Sequence, residues 1–314
     1  MKGLEIAKEY YRQFGAPMIA ERFPELEGVI ACGLAGDGSE CFGYDDDIST
    51  DHDFEPGFCM FIPDGDIIDS RTEFRLERAY ASLPSEFFGL KRQKVNPVGG
   101  KRRGVIRIGD FFEPRTGLRG GFETEMQRLS VPDFYIAAAI NGEIFRDDLG
   151  IITEIRESLA DIPENVLRKK LAGSLIMMAQ SGVYNYKRCI QHGETGAAQL
   201  AAAEFVRHTM QAVFLLNRRH RPFYKWSFRA MRELPILGSL TEPLEYLITT
   251  DNMQDMAKMK TEIIEDIAVL VSEELKAQKL TANVCDDLEK HAYSVNDGIT
   301  DNEIRNLHIM YAIN

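Results

Sequence analysis

The sequence contains no run of eighteen or more apolar residues, which excludes a membrane-crossing helix as the reading of any segment. Cysteines are few: five, an odd number, at 32, 41, 59, 189 and 285, with no Cys-x-x-Cys pair. That argues against a disulfide framework or a structural zinc and fits a reduced compartment. The opening MKGLEIAKEYYRQFG lacks the apolar core of a secretory leader, so the expected location is cytoplasmic. The six histidines, at 52, 192, 208, 220, 291 and 308, lack the His-Glu-x-x-His spacing of a metalloprotease. No Gly-x-Ser-x-Gly elbow and no Walker phosphate loop occurs, which removes serine hydrolases and P-loop ATPases. Cations are in deficit: 37 Lys and Arg against 49 Asp and Glu leave a net charge of −12. Affinity for a phosphate backbone is assembled from Lys and Arg, so this balance predicts no general nucleic-acid binding and suits a cationic or small ligand.

What is present is a globular composition, 44% apolar, in 314 residues. A chain of this length exceeds the typical single domain and predicts two. Residues 1 to 22 place Leu4, Ala7, Tyr10, Tyr11, Phe14 and Met18 near a helical period, with Pro17 ending or kinking the run. Residues 28–34, 58–62 and 105–108 read as strands. A helix is expected at 71–81, with Ser70 as its N-cap and Glu73 closing a capping box. This alternation predicts a mixed sheet with flanking helices. From about Pro132 helical patterns take over, at 134–139, 151–159, 166–181, 197–218, 224–234 and 253–277, punctuated by Pro163, Gly193, Gly196, Pro222 and Pro235. The expected fold class is α+β: a sheet domain over 1–125, then an α-helical bundle over 126–314.

The most telling motif is Gly38-Ser39, separated by eleven residues from Asp51-His52-Asp53. On a strand, the period of two puts Asp51 and Asp53 on one face and His52 on the other. Two hard oxygen ligands suit Mg²⁺ or Mn²⁺, held by carboxylates together with substrate phosphates. Gly38 supplies backbone freedom, and the N–H groups of Gly38 and Ser39 with the Ser39 hydroxyl can donate to a triphosphate. A solvated acidic loop would also explain Asp45, Asp46, Asp47, Asp51, Asp53 and Glu55. The correctly spaced Gly-Ser pair and the apolar run at 58–62 favour the site.

At these residues the chain resembles the DNA polymerase β-like nucleotidyltransferase superfamily, whose signature is a Gly-Ser pair, a spacer, then Asp-x-Asp on a strand. The wider run GLAGDGSECFGYDDDISTDHDFEPGFCMF, with NGEIFRDDLG, AQSGVYNYKRC and FLLNRRHRPFYKW downstream, is similar more narrowly to a bacterial nucleotidyltransferase-fold family, domain of unknown function 4037. The resemblance runs from about Gly33 to about Pro235. It implies a polymerase β-like domain followed by a helical acceptor-binding domain. The implied activity is metal-dependent transfer of a nucleoside monophosphate from an NTP, with ATP expected, to a hydroxyl of a small molecule such as an aminoglycoside, a protein or RNA. Asp51 and Asp53 would then be catalytic metal ligands, with Gly38 and Ser39 on the phosphates. A third carboxylate is also implied. The strand at 105–108 offers Ile106 and Arg107 where an acid is wanted, so Asp110 is the candidate, with Glu113 behind it. That departure motivates an alternative, a protein of this fold that binds nucleotide without transfer and acts as a sensor or interaction partner.

In the helical half, Asn217 and the run Phe223-Tyr224-Lys225-Trp226 surround Pro222. Lys225 beside a helix start can reach a phosphate, and Tyr224 or Trp226 can stack on a base. Tyr224, Lys225 and Asn217 are therefore candidate nucleotide contacts, although Phe223 and Trp226 at i, i+3 equally suit core anchors. Asn141, Gly142, Glu143, Arg146 and Asp147 form a further polar group. Either Glu143 is a general base for the acceptor, or the group is a capping and salt-bridge network.

Overall fold

The structure is a computed structural model that describes residues 1–46, 55–92 and 102–313. The expected Asp51/Asp53 strand lies outside the described residues, as do residues 93–101. The chain divides into two compact units, Met1–Phe122 with Tyr135–Ala160, and Glu123–Phe134 with Asp161–Asn314.

Through the first half the order is α1 (Gly3–Tyr10), α2 (Ala16–Arg22), β1 (Ala31–Leu34), β2 (Cys59–Ile62), α3 (Ser70–Ala81), β3 (Glu86–Phe87), β4 (Leu90–Lys91), β5 (Gly104–Arg107), α4 (Ile108–Thr116), α5 (Glu125–Ser130), α6 (Asp133–Ile140), β6 (Glu143–Arg146) and α7 (Ile151–Ala160). β1 is antiparallel to β2 and to β6, and β2 is parallel to β5, so the order β5-β2-β1-β6 makes a mixed sheet. Every position of β1 and β2 is buried. That is why both read as unbroken apolar runs rather than alternating ones. Met60 and Ile62 pack with Tyr10, Ile19, Leu76 and Tyr80 on one face. Phe61 points to the other, where its ring meets Phe111 of α4 at 5.2 Å. Gly33 lies opposite Cys59, Cys59 opposite Gly104 and Leu34 opposite Glu143. The end of β1 and the starts of β2, β5 and β6 therefore share one end of the sheet.

Three expectations change. Pro17 does not end the first helix: it sits in the first turn of α2, where its missing N–H costs nothing, after a π-helical segment Tyr11–Gly15. The cap of α3 is Asp69 rather than Ser70, its carboxylate accepting from Thr72 N at 2.7 Å. The division at 125/126 also shifts, because residues 135–160 belong with the first unit. The reason is β6, which the sequence shows only as a polar group and which pairs with β1. Its half-exposed edge position admits Glu143 and Arg146.

The second unit is helical. α8 (Glu164–Met178) continues through a π-helical segment, Ala179–Tyr186, into α9 (Lys187–Gln191), followed by α10 (Thr195–Leu216), α11 (Tyr224–Arg232), α12 (Thr241–Thr249), α13 (Gln254–Ala277), α14 (Leu288–Asp297) and α15 (Asn302–Asn306). α8 is buried nearly all round and forms the centre of the bundle. Two fully buried lysines tie loops to helices. Lys169 Nζ donates to Asn296 Oδ1 at 2.9 Å and Leu307 O at 2.6 Å, and Lys260 Nζ to Gln199 Oε1, Thr250 O and Asn252 Oδ1 at 2.8–2.9 Å. Burial lowers the pKa of both ammonium groups. Among the described residues no helix is long and apolar enough to cross a membrane.

Candidate functional site

Where β1 ends, the chain turns through Gly36, Asp37 and Gly38 into Ser39, which starts a 3₁₀ turn over Glu40–Phe42. Asn141 clamps this turn: its Nδ2 donates to Gly36 O at 2.6 Å and its Oδ1 accepts from Gly36 N at 2.8 Å. Gly142 N donates to Cys41 O at 2.7 Å. A Cβ on Gly142 would stand 1.9 Å from Leu34 O, so only glycine allows this approach. The Asn141-Gly142 pair is thus scaffold for the turn, and Glu143 pairs with Lys8. Gly38 is buried, and a Cβ there would lie 2.3 Å from the Glu40 carboxylate folded over it.

Beside the turn lies a cavity of about 260 Å³, lined among others by Gly36, Gly38, Glu40, Arg103, Asp110 and Arg115. The Arg103 side chain is only 8% exposed, and its guanidinium reaches Glu40 at 2.9 Å and Glu55 at 3.6 Å. Arg115, from α4, donates to Asp37 at 2.8 Å and to Phe111 O at 2.6 Å. Its guanidinium stands 4.4 Å over the Phe111 ring, while its buried Nε has no hydrogen-bond partner among the described residues. Cys41 also lines the cavity. Burial, with Glu40 next to it, pushes its thiol well above the ordinary range, so it is neutral and no nucleophile.

Gly38 and Asp110, chosen from the sequence, therefore line the same cavity. Ser39 is half-buried at its edge of the turn, its carbonyl accepting from Phe42 N at 3.1 Å and Tyr44 N at 2.9 Å. Asp110 sits in the first turn of α4 and pairs with Arg119 at 2.8 Å, as Glu113 does at 2.9 Å. Arg119, bonded to Asp64 and Asp110, is held more firmly protonated than usual. Asp51, His52 and Asp53 lie outside the described residues. Of the acidic run around them, Asp45 is buried and accepts from Gly3 N at 2.9 Å at the start of α1, whereas Glu55 meets Arg103. Among the described residues no group of three or more His, Cys, Asp and Glu is placed to hold a metal. Sequence reasoning missed Arg115 and Asp37, whose contact joins positions 78 residues apart.

The second unit places the other candidates differently. Asn217 donates to Val213 O at 2.8 Å and Ile236 O at 2.9 Å, and its Oδ1 accepts from Ile236 N at 3.1 Å. Both amide hydrogens are engaged, so Asn217 is a loop clamp and offers no donor to a nucleotide. Tyr224 is 71% exposed, and the Lys225 ammonium stands 4.3 Å from the Trp226 ring centroid. A buried network absent from the sequence reading surrounds Asp133. It receives Lys170 Nζ at 2.9 Å, His220 Nδ1 at 2.8 Å and the Gln211 amide, while Arg221 Nε donates to Gln211 Oε1 at 3.0 Å. Burial would raise the Asp133 pKa, but Lys170 and His220 hold it well below the carboxylate range. The adjoining cavity, lined by Ser174, His208 and Arg221, measures about 20 Å³, room for one water.

This network falls within a stretch with known relatives. Residues 129–227 match the family described as Domain of unknown function (DUF4037). The DUF4037 match spans Asp133, Lys170, His208, Gln211 and His220, and bears out the resemblance seen in the sequence. A solved structure, a nucleotidyltransferase-like protein from Exiguobacterium sibiricum 255-15, is similar at a TM-score of 0.35 and 11% identity, over 92% of this chain and 89% of that chain. Comparison with curated proteins gives no match.

Proposed function

We propose that the first unit binds a nucleoside triphosphate, ATP being the expected donor, and that the chain transfers its nucleoside monophosphate to an acceptor hydroxyl. The observation that carries this reading is the clamped glycine turn at 36–39 beside a cavity into which Arg103 and Arg115 bring largely buried guanidinium groups. Backbone donors on a fixed turn together with guanidinium forks suit phosphate oxygens. The Nε of Arg115, without a partner among the described residues, is a buried donor that an anion would satisfy.

Phosphoryl chemistry asks the protein for alignment and charge neutralisation more than for covalent steps. The acceptor hydroxyl attacks the α-phosphate and pyrophosphate leaves. Asp37, Glu40 and Asp110, the acids lining the cavity, each face an arginine, so hard oxygen donors for a metal must come from elsewhere, and Asp51 and Asp53 have that chemistry. Glu55, which meets Arg103, follows Asp53 by two residues in the chain. Mg²⁺ or Mn²⁺ held by these two aspartates would neutralise charge on the transferring group. Glu40 meanwhile acts as an internal anion on Arg103, released when a phosphate takes its place.

The test is the double variant Asp51→Asn/Asp53→Asn. Mg²⁺-dependent ATP binding should vanish while the melting temperature holds, because removing adjacent like charges offsets any lost hydrogen bonds. Unchanged Mg²⁺-dependent affinity removes the assignment. Labelled NTPs incubated with the wild type, metal and fractionated acceptors then read the transfer itself. One observation favours a second reading, nucleotide binding without transfer: Arg119 holds both candidate third acids, Asp110 and Glu113.

A further inference from the structure

We infer that the exposed turn over 219–226 of the second unit binds single-stranded nucleic acid, stacking a base on Tyr224 and pairing phosphate with Lys225 and Arg219. The inference rests on no part of the transfer reading. In a chain of net charge −12, residues 205–232 contain no Asp or Glu, yet include Arg207, Arg218, Arg219, Arg221, Lys225, Arg229 and Arg232. Several of these cations are engaged: Arg207 with Glu204 at 3.1 Å, Arg218 with Glu164 at 2.8 Å, Arg221 with Gln211, and Arg232 with Glu245. Arg219 and Lys225 are both exposed and have no carboxylate partner among the described residues. They flank the most exposed aromatic of the segment.

The turn is also tied back by its own hydrogen bonds. Arg218 adopts φ 54°, a left-handed conformation that a side chain tolerates only when its surroundings enforce it. Arg219 N then donates back to Phe214 O at 3.0 Å, and Ser227 Oγ to Pro222 O at 2.9 Å. Phe134, Phe223 and Tyr224 form a ladder of rings with centroids 5.5 and 4.4 Å apart. Its inner end is anchored and its outer end projects. An exposed aromatic on a fixed turn, with cations on both sides and no acid in the run, offers the two things a single strand presents, π faces and phosphates. A duplex hides its faces and would not use the ladder. The negative net charge confines the effect to this patch, which fits a short strand rather than a long polyanion.

The experiment uses the full chain and short fluorescein-labelled single strands of A or U, read by anisotropy, together with emission from Trp226. The wild type should bind, with affinity falling as salt rises. Tyr224→Ala should weaken binding about ten-fold or more, and Lys225→Ala or Arg219→Ala should reduce the salt slope by about 1 each. The Asp51→Asn/Asp53→Asn variant should bind the strands like the wild type, which separates this surface from the transfer site. Absence of binding overturns the inference. So does binding that Tyr224→Ala and Lys225→Ala leave unchanged, or equally tight binding of the matching duplex.

Discussion

In the second unit Asp133 is enclosed by the bundle and receives donors from Lys170, His220 and Gln211; in the first unit the largely buried Arg115 keeps an Nε without a partner among the described residues, beside a cavity more than ten times larger than the one at Asp133. A buried charge whose hydrogen-bonding capacity is saturated from within fixes a unique packing and has nothing left for a ligand. One that is incompletely satisfied beside open space marks where an external partner belongs. By that criterion the Asp133 network is scaffold and the arginine-lined cavity is the candidate site.

The largest expected effect comes from breaking the saturated side. Lys170→Met leaves the Asp133 carboxylate buried beside fewer donors and should destabilise the second unit by about 3 to 5 kcal/mol, read as the denaturant midpoint of the helical signal. Arg115→Met, by contrast, should leave the midpoint nearly unmoved and weaken triphosphate binding. Equal stability for Lys170→Met and the wild type would erase the distinction between the units. Next in size is Ser39→Ala, which removes a hydroxyl donor to a charged phosphate, worth about 1.5 to 3 kcal/mol if the bond is made. ATP affinity measured calorimetrically should drop ten-fold or more without a shift in melting temperature. Normal affinity would leave Ser39 as part of the turn alone.

The sequence made the sheet legible where burial is two-sided, since β1 and β2 are continuous apolar runs, and it made the bundle legible through helical periodicity. β6 was invisible because an edge strand of four residues with charged ends has no pattern of its own; its state is set by β1 alongside it. Gly38 was legible as a turn residue because it follows an apolar strand and precedes a polar stretch. Arg115 and Asp37 were not, because their meeting joins positions 78 residues apart. Asn217 illustrates the opposite error: a polar residue next to a basic aromatic run suggests a ligand contact, but the clamp to Ile236 is visible only in three dimensions.

A smaller effect tests the saturated side by pH. Burial, with Arg207 and Arg221 nearby, pushes His208 down to about 3. Glu204, 3.4 Å away, is too exposed to reverse this. The unfolded chain protonates this histidine near pH 6.5 and the folded chain does not, so stability is full above that pH and declines as pH falls toward 3, by up to about 1.4 kcal/mol per unit. Asp133 has the depressed carboxylate pattern, and its contribution is lost only below about pH 4. From pH 7 to 5 the wild type should therefore lose about 2 kcal/mol, and His208→Gln should flatten that slope. A wild type equally stable at both pH values would mean that His208 carries a proton in the fold.

The smallest expected effect separates two neighbours that the sequence presents alike. Asn217→Ala removes three hydrogen bonds to backbone groups and leaves Ile236 N and Ile236 O to find other partners, a cost of about 1 to 3 kcal/mol. Lys225→Ala removes an exposed ammonium from above Trp226 and should change stability by no more than about 0.5 kcal/mol. Both are read by the same denaturation curve, so the difference between them is the measurement. If Lys225→Ala costs as much as Asn217→Ala, the Lys225–Trp226 contact holds α11 in place and Lys225 joins the scaffold, leaving Arg219 as the only cation at the proposed nucleic-acid surface. If it costs nothing and single-strand binding weakens, an exposed charge has been separated from an engaged amide eight residues away, by the same rule that divides the two units.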